Sequence, residues 1–99
     1  MTPEYILAIV VTLSHTTIDD LLGVSHHQNI SRTRHIAMAL IKENCNLGVV
    51  EIGHIFNRDH SAVSYGLKRA RFSELFDVFL KYNAYLESLD GRSNDIEPV

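Results

Sequence analysis

The 99-residue chain has one cysteine, two prolines, five glycines and no tryptophan, and it contains no long apolar run. Each shortage excludes something. A lone Cys45 makes no intramolecular disulfide, and the N-terminus lacks a basic region followed by an apolar stretch and a small-residue cleavage site, so a reducing, cytoplasmic location is expected. The longest apolar stretch, YILAIVVTL, spans nine residues, against the roughly 20 that a membrane helix requires. A soluble protein without a membrane partner is expected. With 45% hydrophobic residues, the chain is long enough for one small domain with a core and too short for two.

Catalytic and ligand-binding patterns are also missing. Gly48 and Gly53 have the spacing of a G-x4-G phosphate loop, but His54 follows where a lysine is required, so neither a nucleotide nor any other cofactor is expected. Six histidines are many for this length. Yet His26 and His27 with His35, Cys45 or His54 give no H-x3-H or C-x2-C spacing, so no metal site is expected. His15 and His54 read as solvent-facing. No Ser/His/Asp or Cys/His arrangement is legible, and an enzyme is not expected.

What the chain does have is an uneven charge. Residues 32–71 hold seven Lys or Arg against three acids, a balance of +4, while the remainder holds two against nine, a balance of −7, for a net charge of −3. A basic middle on an acidic body is compatible with one electropositive face, the footprint of a nucleic-acid binder. A merely solvated basic surface gives the same count.

Breakers and apolar spacing predict an all-helical fold of five to six helices. Thr2, Pro3 and Glu4 make an N-cap, an N1 proline and a first-turn acid for a helix over about 3–14 with Ile6, Ile9, Val10 and Leu13 at helical spacing. Thr17 caps a short helix, IDDLL, that Gly23 ends. The polar VSHHQNI is a loop. Asn29 or Ser31 then caps a helix over about 31–45 with Ile36, Ala37, Leu40, Ile41 and Cys45 in apolar rows. A helix over about 49–56 carries Val49, Ile52, Ile55 and Phe56, with Gly53 where a neighbouring helix can approach. Asn57 tolerates the left-handed conformation of a tight turn, and Asp59 caps the next helix by accepting from the amides of residues 61 and 62. That helix buries Val63, Leu67 and Ala70 and shows Ser61, Ala62, Tyr65, Lys68 and Arg69 on its opposite face. A last helix with Leu75, Phe79, Tyr82, Leu86 and Leu89 is either a lid over the core or a dimer seam. The domain is expected to span 1–89, with a frayed tail over 90–99.

Two short helices joined by a tight turn, the second opening with small polar side chains and ending basic, form the pattern of a helix-turn-helix. In that motif the leading residues of the second helix enter the major groove, so they must be short and polar enough to read base edges. His60, Ser61 and Ala62 meet that demand. The basic residues behind them reach phosphates, which supply affinity rather than sequence information.

Residues 31–70, SRTRHIAMALIKENCNLGVVEIGHIFNRDHSAVSYGLKRA, resemble the C-terminal DNA-binding domain of the bacterial replication initiator DnaA. IGHIF-NRDHSAV is close to that family's signature of a helix ending EIG..F, a turn with RDH and a recognition helix opening HTTV. The resemblance implies a Trp-repressor-like helical domain that reads double-stranded DNA at the replication origin, with replication proteins as further partners. It also implies site residues. Arg34 matches a DNA-contacting arginine, Arg58, Asp59 and His60 match RDH, and Ser61 stands for a base-reading threonine. Ala62 replaces a second threonine, Tyr65 a histidine and His35 a glutamine. The arginine-rich minor-groove loop of the family reads VSHHQNI here, so His26, His27 and Gln28 stand in, and weaker binding than the family norm is expected. Lys68 and Arg69 supply phosphate contacts. Met1 and the capped first helix favour an independent small protein without the initiator's ATPase domain, and four or five phosphate contacts imply a log–log salt slope of about −4. The alternative is an interaction module that kept the fold and lost DNA reading. The oligomeric state is not legible.

Overall fold

A computed structural model describes residues 1–25 and 27–90, and within them the chain forms six helices and no strand: α1 (Pro3–Ser14), α2 (Ile18–Leu22), α3 (Gln28–Cys45), α4 (Val49–Phe56), α5 (His60–Phe72) and α6 (Leu75–Asp90). Local capping chemistry sets most of the boundaries. The Thr2 hydroxyl accepts from the Tyr5 amide at 3.1 Å with Pro3 behind it, and His15 closes α1 in the left-handed region at φ 59°. At α2, Thr17 and Asp20 form a reciprocal capping box, with the Asp20 amide on the Thr17 hydroxyl at 3.0 Å and the Thr17 amide on the Asp20 carboxylate at 3.1 Å. Gly23 ends α2 in extended backbone, not in the left-handed conformation. Its glycine is needed because a Cβ there would lie 2.5 Å from the Asp19 carbonyl oxygen.

Helix α3 starts three residues before the expected 31. Neither Asn29 nor Ser31 caps it; His27 occupies the cap position without a side-chain hydrogen bond, and the first turn is closed by the Ser31 amide on the His27 carbonyl at 2.9 Å. Between α4 and α5, Asn57 takes the left-handed conformation at φ 55°, and the Arg58 amide returns to the Gly53 carbonyl at 2.8 Å. That return explains Gly53. A Cβ on it would stand 2.5 Å from the Arg58 carbonyl oxygen, so the turn itself, rather than a neighbouring helix, excludes a side chain.

The core draws on all six helices: Ile6, Val10, Leu21, Leu40, Ile41, Ile52, Phe56, Val63 and Leu86 are fully buried. Helix α3 is its centre and touches α1, α2, α4, α5 and α6. It packs against α5 at Gly66, where a Cβ would sit 2.7 Å from His35 Cδ2 and 3.0 Å from Met38 Sδ. Gly66 is therefore buried and Leu67, expected inside, is only half-buried. Helix α6 covers this pair as a lid through Leu75, Phe79 and Leu86, with Tyr82 half-buried and Leu89 exposed, and Asn83 accepts from the Asn44 amide group at 2.8 Å to fix it on α3. Residues 91–99 of the expected tail lie outside the described residues.

Candidate nucleic-acid interface

The α4–turn–α5 unit presents the first turn of α5 to solvent. The Asp59 carboxylate caps that turn, accepting from the Ser61 amide at 3.2 Å and from the Ser61 hydroxyl, while the Ala62 amide goes to the Asp59 backbone carbonyl at 3.0 Å rather than to the carboxylate. The hydroxyl and amide of Ser61 hold the Asp59 carboxyl below the usual carboxylate range. His60, Ser61 and Ala62 are exposed together on this turn, with Lys68 exposed two turns on. Apolar burial of Val63, Gly66 and Ala70 on the opposite face holds these residues outward.

Tyr65 stands in the middle of the face, 57% exposed. Its ring and the His35 ring meet edge to face at 5.7 Å and 85°, and Arg69 lies over it at 6.0 Å, donating to its hydroxyl at 3.4 Å. Tyr65 and Arg69 thus hold one another in place. His35 behind them is half-buried, and burial, followed by the positive charges of Arg69, Arg34 and Arg58, pushes its imidazole down to about 4. At neutral pH it is an uncharged wedge against the Tyr65 ring rather than a cationic group.

Arg34 and Arg58 are placed differently from the expectation that both reach DNA. Arg34 is 4% exposed; its Nε donates to the Leu21 carbonyl at 2.7 Å, and Nη2 donates to the carbonyls of Asp20 at 2.9 Å and Gly23 at 3.5 Å. Arg58 donates from Nη2 to the same Gly23 carbonyl at 2.7 Å and from Nη1 to that of Phe56 at 3.0 Å. The physical reason is the end of α2. Its last carbonyls have no intrahelical partner, no basic residue stands in its last turn, and the end is covered by α3 and α4. Two guanidiniums supply the missing donors. Burial, and then the nearby Arg58 charge, lowers the Arg34 pKa. Sequence reasoning missed this clamp, although a five-residue helix ending in Gly23 with uncapped carbonyls was the available signal.

Of the remaining expected residues, His27 is exposed at the start of α3, and His26 lies outside the described residues. Arg32, which the sequence did not single out, pairs with Glu74 at 3.4 Å and ties α3 to the segment before α6. The structure therefore brings His60, Ser61, Ala62, Tyr65, Lys68 and Arg69 to one face, sets His35 beneath it, and withdraws Arg34 and Arg58 into the frame behind.

The family model for the bacterial dnaA protein helix-turn-helix matches residues 3–70, the whole of α1 to α4 and most of α5. The chain belongs to this family. It is 41% identical over 73 residues to the chromosomal replication initiator protein DnaA of Clavibacter sepedonicus, covering 67% of this chain and 15% of that protein. Against the DnaA of Picosynechococcus sp. it is 38% identical over 93 residues, 93% of this chain and 20% of the relative, and against that of Mycobacteroides abscessus 35% over 66 residues, 67% and 13%. The chain spans about a fifth or less of the length of these curated relatives. It is a DnaA-type helix-turn-helix, a DNA-binding domain by family. No helix among the described residues is long and apolar enough to cross a membrane.

Proposed function

We propose that this DnaA-type domain binds double-stranded DNA sequence-specifically, with the first turn of α5 in the major groove, and that it acts in the cytoplasm on replication, as a competitor or accessory at origin-like sites. The observation that carries the reading is the exposed His60-Ser61-Ala62 turn, capped by Asp59 and backed by buried α5 residues, with Lys68 and Arg69 behind it. In this reading His60 and Ser61 address base edges, the Ala62 methyl meets a thymine methyl, and Tyr65 packs at the groove wall. Lys68 and Arg69 contact phosphates, and His27 with His26 approaches the minor groove. Arg34, His35 and Arg58 act behind the surface as positioning residues. The domain works as one unit over 1–89.

With two guanidiniums committed to the frame, two or three phosphate contacts remain, and the log–log salt slope is roughly −2 to −3 rather than −4. Fluorescence anisotropy of a labelled duplex carrying a DnaA-type box, against a scrambled duplex at two salt concentrations, tests the reading. Preference for the box with that slope supports it. Salt-sensitive binding without preference removes the sequence-specific part, and absence of binding at low salt overturns it in favour of the interaction module.

A further inference from the structure

Away from the reading face, the C-terminal half of α3, the end of α5 and the first turns of α6 enclose a groove of about 160 Å³. Its floor is apolar, with Ala70 and Phe79 buried and Ala39 and Leu67 half-buried. Lys42, Glu43 and Arg71 stand exposed around its mouth, and among the described residues none of the three enters an ion pair or a side-chain hydrogen bond. Phe76 lines the groove and is 36% exposed. An exposed aromatic in the wall of an apolar groove is characteristic of a surface that receives a partner.

Size and charge narrow the occupant. An apolar space of roughly 150 Å³ accepts a benzene ring, so this groove suits one phenylalanine or leucine side chain and no drug-sized ligand. Two unpaired cations against one carboxylate favour anionic groups beside that anchor. The groove begins at Leu67, seven residues after His60, about 10 Å along the helix axis, and it opens on the flank of α5 away from Tyr65 and Arg69. A partner there leaves the reading turn free. We propose that the groove docks an acidic segment of another protein, with a single phenylalanine or leucine in the groove and carboxylates on Lys42 and Arg71, while DNA is held on the other face.

The test uses the whole chain, labelled with 15N, and a short synthetic peptide carrying one phenylalanine between glutamates. Saturable shifts at Ala39, Leu67, Phe76 and Phe79, with or without bound duplex, are expected. Affinity falls about tenfold or more when the peptide's phenylalanine becomes alanine, and falls similarly when Ala39→Phe fills the groove. Should A39F fail to fold, the double substitution K42Q and R71Q on the exposed rim carries the same expectation, with raised salt weakening the wild-type interaction in parallel. Shifts confined to His60, Ser61, Ala62, Tyr65, Lys68 and Arg69 overturn the proposal, because the peptide is then only an anion competing for the DNA face. Groove shifts produced by duplex alone overturn it in favour of a phosphate site. Groove resonances that move with protein concentration, or on removal of residues 91–99, overturn it in favour of a second copy or of the chain's own C-terminal segment. Absence of shifts at millimolar peptide overturns it outright. None of these outcomes depends on the duplex assay that tests sequence-specific reading.

Discussion

Arg34 and Arg58 look much like Lys68 and Arg69 in the sequence: four cations within the basic middle of the chain. The fold separates them into opposite roles. The first two are turned inward onto the carbonyls of Asp20, Leu21, Gly23 and Phe56, and the second two lie on the outer face of α5. The difference shows that a cation's role is decided by which carbonyls lack a donor nearby. The uncapped end of α2 takes the inner pair; the outer pair meets no such carbonyls, and its side-chain partner is the Tyr65 hydroxyl on Arg69.

This contrast breaks most readily at Arg34. Arg34→Ala removes the donor to the buried Leu21 carbonyl and to the part-buried carbonyls of Asp20 and Gly23, and is expected to cost about 2–4 kcal/mol of stability by urea denaturation. An unchanged denaturation midpoint with lost DNA binding would instead put Arg34 back on the DNA. Next comes the ring caught between the two pairs. The folded-state pKa of His35 lies at about 4, below its ordinary 6.5, so between those values the unfolded chain binds a proton that the folded one does not. Stability is full above about pH 6.5 and falls as pH drops towards 4, by an expected 1–3 kcal/mol in total given partial solvent screening. His35→Gln flattens that dependence if the imidazole is its source; a wild-type slope that persists in H35Q assigns it elsewhere.

Arg58→Ala removes two hydrogen bonds from a half-buried site and is expected to cost about 1–2 kcal/mol. Because Arg58 bridges the turn to the end of α2, the DNA deficit of R58A should be largely restored by Arg58→Lys, whose single ammonium keeps the charge and can reach one of the two carbonyls; equal deficits in both variants argue for a bidentate contact with DNA. The smallest effects on stability belong to the outer pair. Lys68→Ala and Arg69→Ala are expected to change unfolding free energy by less than about 0.5 kcal/mol, while each lowers the salt slope of binding by about 1. Loss of fold in R69A would show that its stacking on Tyr65 is structural.

Helix boundaries were legible where one residue's local chemistry closes the end: Thr2, Thr17 and Asp59 by their side chains and Asn57 by its left-handed backbone. The start of α3 was not, because Asn29 and Ser31 are good caps in isolation, whereas the helix begins at Gln28 on a backbone hydrogen bond to the His27 carbonyl that no side chain announces. The exposed turn at His60–Ala62 was legible from residue size and polarity. The inward turn of Arg34 was not, since it depends on carbonyls 11 to 14 residues earlier in the chain.

By itself, the sequence determined the helical content, the capped turn between α4 and α5, and membership of the DnaA helix-turn-helix family, because caps, periodicity and motif spacing act over a few residues. Only the tertiary structure decided which cations face solvent, that His35 is an uncharged wedge under Tyr65, that Gly53 and Gly66 are required by close approach, and that α3, α5 and α6 leave an apolar groove between them. Those outcomes turn on desolvation and on unpaired backbone groups meeting across the chain, and both exist only once the helices have packed.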